Sequence, residues 1–458
     1  MMYLQEVVLF LTACIGLSAC NRVYVHPFNL FAYNKSECEK LQSLNHTIEK
    51  MFIPTPIDSK TKTEDKSLKV KTHLEKHQLG NSEMVSTLTS LINNLGFRAF
   101  KQLRGIHKSD SGLISYTNLY GSLLSFYLGA LGNTSANLQT LLGFVQSGAT
   151  NCSTNGLKVA SGLKSIDSLL FSKDANIEAL KTTCIFVSPT VFLSEDFVND
   201  LTSSADHFYV RSVDFTDSIN ALNSINEFLG ERLSKKSGLS SIDATSNFMY
   251  TSHIHFKGKV SKSFLIPELQ HFWIEPNKKI LVPMISVTGM FPFRDDTIAN
   301  QIIVKISLSE NDFLLLVQPT NGNTLENIES SLTLNTYSNW LNSLTNRYIT
   351  LSLPKLEIES SLDIQDLLTS MQLSDLLRKK ADFSKISKED INVGKVINTV
   401  HFELEDSAAD PNDVQNVQKN DKESLTVTFN NPFIAAMFEG TTKALLLIGR
   451  VGNPVHTI

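Results

Sequence analysis

The chain predicts an α+β protein with extensive mixed sheet. Helical periodicity is concentrated in its first half and strand alternation in its second, and no internal repeat suggests a solenoid or propeller. At 458 residues with 42% hydrophobic content, it is long enough to bury a large core in one unit.

The elements follow in order. Val85 to Leu103 spaces Leu, Ile and Phe as one helical face, and Leu119–Leu131 is apolar enough for a buried helix. Ala136–Phe144 adds a short helix, and Ile177–Phe192 is rich in strand formers. Ile219, Leu222, Ile225, Phe228 and Leu229 recur at three- and four-residue steps, which predicts a helix over 219–233. Phe248–Lys259 alternates as a strand, Leu281–Phe293 and Ile302–Val317 read as paired strands, and Thr350–Glu359 alternates cleanly. Two apolar strands, Phe433–Phe438 and Ala444–Val451, close the chain. Between the strand patterns Val396–Phe402 and Leu425–Phe429 lies a polar stretch, Glu403–Glu423. A loop of that length inside a compact domain is usually functional.

The N-terminus has a different character. Val7–Leu17 is an apolar stretch short of a membrane span, and Ser18-Ala19-Cys20 offers the small residues of a cleavage site. Residues 1–20 are therefore expected to be a signal peptide, with Asn21 as the mature terminus and no membrane anchor. Residues 21–30 form an aromatic-rich decapeptide and 31–83 a tail whose 54–82 portion is Pro-, Ser-, Lys- and Glu-rich, as a solvated linker would be. The globular domain is expected over 84–458.

Signal removal leaves Cys38, Cys152 and Cys184. An odd count in a secreted chain means one disulfide and one thiol. Cys184 lies in an apolar strand pattern and reads as the buried thiol; Cys38 and Cys152, in polar surroundings, make the pair. Sequons at Asn34, Asn45, Asn133 and Asn151 are candidate glycosylation sites.

Several segments resemble the serpin family in order and spacing over residues 85–458. They are Asn118 with Leu128-Gly129-Ala130, Val213-Asp214-Phe215 with Ile225-Asn226-Glu227-Phe228, Phe256-Lys257-Gly258-Lys259, and Leu353-Pro354-Lys355 with Ile358-Glu359-Ser360-Ser361. Asn431-Pro432-Phe433 and Gly449-Arg450-Val451-Gly452-Asn453-Pro454 complete the set. The resemblance implies three β-sheets surrounded by about nine helices, with an exposed reactive loop at 403–423. Inhibitory members insert the loop's hinge as a new central strand. Here that hinge corresponds to Glu405, Ser407, Ala408, Asp410 and Pro411. Ser407 and Ala408 suit insertion. Pro411 lacks the N–H a central strand donates, and burying Asp410 unpaired is costly. A non-inhibitory member is expected.

Asn21-Arg22-Val23-Tyr24-Val25-His26-Pro27-Phe28-Asn29-Leu30 closely resembles the angiotensin peptide hormones, Asn21 matching the form of non-mammalian vertebrates. That resemblance implies release of residues 21–30 by renin, an aspartic protease, at Leu30–Phe31. It further implies trimming between Phe28 and Asn29 by a converting zinc dipeptidase, and action of residues 21–28 on a G-protein-coupled angiotensin receptor to control blood pressure and salt balance. Arg22, Tyr24, His26 and Phe28 are then the recognition groups, and Cys38–Cys152 a redox-sensitive tether. The alternation of side chains suits the extended binding mode of a protease cleft.

Other chemistry finds little support. Net charge is −5 with no basic cluster, so a nucleic-acid surface is not expected. No nucleophile elbow, zinc-protease, phosphate-loop or C-x-x-C motif occurs, so no enzyme activity, resident cofactor or metal is expected. His253 and His255, two apart in a strand pattern, read as ordinary strand histidines. The alternatives to a hormone precursor are an inhibitory serpin and a binding or carrier serpin.

Overall fold

The computed structural model describes residues 50–57, 82–106, 111–144, 155–170, 176–202, 205, 207–233, 239–378, 380–409 and 424–454. Nine helices fall within them, packed around a five-stranded and a nine-stranded sheet. Two two-stranded ribbons complete the strand set.

The first long helix, Ser82–Ile106, buries Leu88, Ile92, Leu95 and Ala99 at the spacing its sequence predicted. Gly96 is required on it, because a Cβ there would lie 1.7 Å from the ring of Tyr116. Tyr116 opens the second helix, Tyr116–Gly129, whose N-terminus is capped by Ser115 accepting from the Asn118 N–H. That helix is buried almost all round, as the apolar run implied, but stops short of Leu131, which is exposed. The third, Gly132–Leu142, ends at Gly143 with φ +83, where its N–H bonds carbonyls of the last turn.

The five-stranded sheet runs in the order Leu356–Asp363, Val393–Asp406, Phe248–Val260, Ile177–Val187, His207–Ser212. Val393–Asp406, here the hinge strand, pairs antiparallel with Leu356–Asp363 and parallel with Phe248–Val260, here the partner strand. In the partner strand, Ile254, Phe256 and Val260 point into the core and His253, His255 and Lys257 point out. In the hinge strand, Val400, Phe402 and Leu404 point in and Thr399, Glu403 and Glu405 point out. The inward set packs on the nine-stranded sheet through Leu314, Leu316 and Leu351.

The helix Ser218–Leu233 covers part of the outer face of the five-stranded sheet, setting Ile225, Phe228 and Leu229 against Cys184, Phe186, Met249 and Ile397. Ile219 does not join them: it is 72% exposed. At about 100° per residue it lies some 240° around the helix from Ile225, so the buried stripe is Ala221, Ile225, Phe228 and Leu229.

Three strand readings are corrected. Thr350–Glu359 is two strands in different sheets, Thr345–Pro354 and Leu356–Asp363, parted at Lys355, whose N–H bonds the Pro283 carbonyl. Leu281–Phe293 is likewise divided at Pro283, which separates Lys278–Val282 from Met284–Asp296. Ile302–Val317 is itself a hairpin, Gln301–Ser307 with Asp312–Pro319.

Candidate functional site: the loop hinge and the root of the tail

The hinge begins inside the sheet. The hinge strand extends to Asp406, so Glu403 and Glu405, which the sequence placed in the loop, are strand residues; Asp406 pairs with Val260. Glu405 is held by Lys257 at 3.0 Å and Lys355 at 3.2 Å. The hydrogen bond from Lys257, reinforced by Lys355, outweighs burial and holds the Glu405 carboxyl below the usual carboxylate range.

Beyond Asp406 the backbone turns out of the sheet. Ser407 exchanges hydrogen bonds with Ser263, a fully buried residue just past the partner strand. The Ala409 N–H also donates to the Ser263 carbonyl, at 3.0 Å. Between them Ala408 takes φ +54, the left-handed region, with its N–H on the Asp406 carboxylate. The hinge residues Glu405, Ser407 and Ala408 are thus pegged to the end of the sheet. The other two, Asp410 and Pro411, lie outside the described residues.

The root of the tail is a second anchored point, and the sequence reading missed it. Met51–Phe52 pairs antiparallel with Leu193–Ser194, and the Glu195 N–H donates to the Lys50 carbonyl. Ser212 then donates to the Thr55 carbonyl and accepts from the Ile57 N–H, at 3.0 and 3.1 Å. Pro54 is buried between these contacts, and Phe52 and Ile57 pack on separate hydrophobic clusters. Residues 54–57, read as the start of a solvated linker, therefore belong to the body. A two-residue strand carries no periodicity, so the only available signal was the apolar run Met51-Phe52-Ile53.

The remaining expected site residues divide sharply. Cys184 is a free, buried thiol, and desolvation pushes its pKa up to about 12 despite a bond with Thr251 and the nearby Arg211 and Arg232. Asn133 is exposed at the start of its helix, accessible to a glycan. Arg22, Tyr24, His26, Phe28, Asn29, Leu30, Phe31, Asn34, Cys38, Asn45, Asn151 and Cys152 lie outside the described residues.

Sequence reasoning also missed the residues around His255. Its neighbour is not His253 but His401, directly opposite on the hinge strand, with ring centroids 4.5 Å apart. Glu403 bridges the two, its Oε1 lying 3.1 Å from His255 Nε2 and 3.4 Å from His401 Nε2.

Comparison with known proteins agrees with this architecture. The profile of the family "Serpin (serine protease inhibitor)" matches residues 90–454. Angiotensinogen of Bos taurus is 34% identical over 469 residues, covering 99% of this chain and 98% of that protein. Corticosteroid-binding globulin of Pongo abelii is 24% identical and covers 80% of this chain and 90% of that protein. The crystal structure of human thyroxine-binding globulin superposes with a TM-score of 0.69 at 18% identity, covering 81% of this chain and all of that one.

Proposed function

Because the chain belongs to the serpin family and, within it, to the angiotensinogens, we infer that its serpin body serves as the carrier of a hormone released from the N-terminal tail. It is a precursor of a vasoactive peptide. The observation that carries this reading is how much of the chain each similarity covers. The serpin profile starts at residue 90 and the corticosteroid-binding relative covers 80% of the chain, whereas the angiotensinogen match covers 99% and so takes in nearly the whole tail. A carrier or inhibitory role has no comparable support in that segment.

In this reading residues 1–20 are a signal peptide and the protein is secreted; no helix among the described residues is long and apolar enough to cross a membrane. Renin cuts Leu30–Phe31, whose side chains offer apolar groups to the subsites on both sides of the bond. The protease's paired carboxylates, sharing one proton, activate the attacking water. A zinc dipeptidase then removes Asn29-Leu30, and the octapeptide 21–28 meets its receptor through Arg22, Tyr24, His26 and Phe28. Pro27 fixes its own φ and biases His26 toward extended conformations, which lowers the entropy lost on binding. The chain itself is a substrate and performs no catalysis.

The body's part is to present the tail. The root at residues 50–57 is hydrogen-bonded to the body, and Leu30 lies twenty residues before Lys50. An extended chain of that length reaches at most ~65–70 Å, so the scissile bond stays within that radius of the root. Incubation with renin and mass spectrometry of the small products tests the reading. The decapeptide 21–30 is expected, and Leu30→Asp suppresses it; release from that variant at an unchanged rate would refute the assignment.

A further inference from the structure

We propose that His255, His401 and Glu403 form a binding site for a divalent transition-metal ion, with Zn²⁺ as the representative, and that the bound ion clamps the hinge strand to the partner strand. Among the described residues this is the one group of three or more His, Cys, Asp or Glu side chains placed to share an ion, with all ligand atoms within 4.8 Å of one another.

The spacing of the carboxylate oxygen from each imidazole is close to that of a coordination shell. Zinc takes imidazole nitrogen at ~2.0–2.1 Å and carboxylate oxygen at ~2.0–2.2 Å in a tetrahedron, so neighbouring ligand atoms stand ~3.3–3.5 Å apart. The two nitrogen-to-Oε1 separations are 3.1 and 3.4 Å. The rings are stacked 18° apart, whereas an ion lies near the plane of each imidazole it binds, so the rings must turn about their Cβ–Cγ bonds to share one. Glu357, on the strand at the hinge strand's other side, has a carboxylate 4.0 Å from His401 Nε2; it is exposed enough to swing in, or water completes the set. Two imidazoles favour zinc, copper or nickel over calcium and magnesium, which take oxygen.

The surroundings divide the roles of the Glu403 oxygens. Lys257 lies 3.6 Å from Oε2 and is itself drawn to Glu405 at 3.0 Å, leaving Oε1 toward the histidines. His401 is nearly buried, with its side chain 4% exposed, while that of His255 is 37% exposed, giving an ion a fixed floor and an open entrance. The covering helix Ser218–Leu233 packs on Met249 of the partner strand, six residues before His255. At ~3.3 Å per residue the cluster lies ~20 Å further along the same face.

The position gives the site a consequence. The hinge strand and partner strand are parallel neighbours. A chain that turns back after Asp406 runs antiparallel to both, so this seam is where a reversed hinge would enter the sheet. His255 and His401 sit opposite each other across it. An ion bound to both strands makes opening the seam require breaking coordination bonds.

The test uses the full-length secreted protein, stripped of metal with chelator and titrated with zinc chloride, then with cobalt chloride. One ion per chain, a tetrahedral Co²⁺ absorption band, a melting temperature higher by at least ~3 °C and slower amide exchange over 398–406 are expected. His401→Gln and Glu403→Gln each weaken binding more than ~10-fold, and His271→Gln, on a separate ribbon, leaves it unchanged. Glu403→Gln keeps hydrogen-bonding capacity toward both rings, so it guards against a variant that fails to fold. Ordinary cross-strand hydrogen bonds only, seen as no stoichiometric binding, overturn the proposal. So does undiminished affinity in the His255→Gln/His401→Gln double variant, which would place the ion elsewhere. Binding without slower exchange overturns the clamp.

Discussion

Ser407 and Ser263 are joined by hydrogen bonds in both directions. The Ser263 N–H donates to Ser407 Oγ at 3.0 Å, the Ser407 N–H to Ser263 Oγ at 3.2 Å, and Ser407 Oγ to the Ser263 carbonyl at 3.1 Å. Ser263 is fully buried, and its hydroxyl also bonds the Val260 carbonyl. The first hinge residue outside the sheet is thereby tied to the end of the strand beside which it would have to insert.

Insertion would break this exchange and part the hinge strand from its neighbour, then call on Asp410 and Pro411 to enter a sheet interior. Proteolytic nicking within 410–423 is therefore expected to leave the melting temperature within ~5 °C of the intact protein's. A rise of tens of degrees in a calorimetric scan would show that the hinge inserts.

The buried Cys184 thiol is expected to weaken the fold at alkaline pH. Its folded pKa of about 12 lies far above the unfolded thiol's ~8.5. The fold favours the neutral thiol, so this contribution is intact below pH ~8.5 and falls as pH rises from there toward 12. Cys184→Ala is expected to flatten the decline of urea-unfolding stability above pH ~8.5, at some cost near neutrality from lost packing. An unchanged alkaline slope would assign the decline to other groups. In the native protein the thiol should also resist alkylation at neutral pH.

Arg450 and Glu329 form a bidentate pair, Nε to Oε1 at 2.9 Å and the second nitrogen to Oε2 at 3.0 Å, with Glu326 on the same guanidinium. The Glu329 side chain is 3% exposed and that of Arg450 22%. Glu329→Gln leaves a partly buried guanidinium short of its counter-charge. It should cost about 2–3 kcal/mol in denaturant unfolding, less than the ~3–5 of a wholly buried pair broken on one side. A change under ~0.5 kcal/mol would place the pair with exposed ones.

Element types were legible where periodicity was long. The partner strand alternates over its exposed half, and the Gly143 stop of the third helix was close to where the sequence ended it. Breaks at Pro283 and Lys355 were missed because apolar residues continue on both sides of them, although the prolines and a one-residue slip in the alternation between Leu353 and Leu356 were the available signals. The His255–His401–Glu403 group was not legible. It depends on the register between strands far apart in the chain, which no local pattern encodes, and a one-residue slip would send His401 inward. The pinning of the tail root by Ser212 likewise rests on a contact between distant segments.

The last prediction joins that root to the cysteines. Non-reducing peptide mapping is expected to recover a fragment linking Cys38 with Cys152, Cys184 remaining free; a bridge containing Cys184 would refute the pairing. With the root held at residues 50–57, that disulfide would close the tail at a second point. Cys38 is eight residues beyond Leu30, so in the oxidised protein an extended chain takes the scissile bond no more than ~26–29 Å from Cys38. Reduction lengthens the leash to the twenty residues back from Lys50, or ~65–70 Å. Such a bond would change the volume in which the cleavage site is found, independently of its effect on the unfolded chain. If that confinement holds Leu30–Phe31 outward, a higher kcat/KM for renin is expected in the oxidised form than after reduction. Cys38→Ser should match the reduced protein. Equal rates for all three would leave a structural staple and remove the switch.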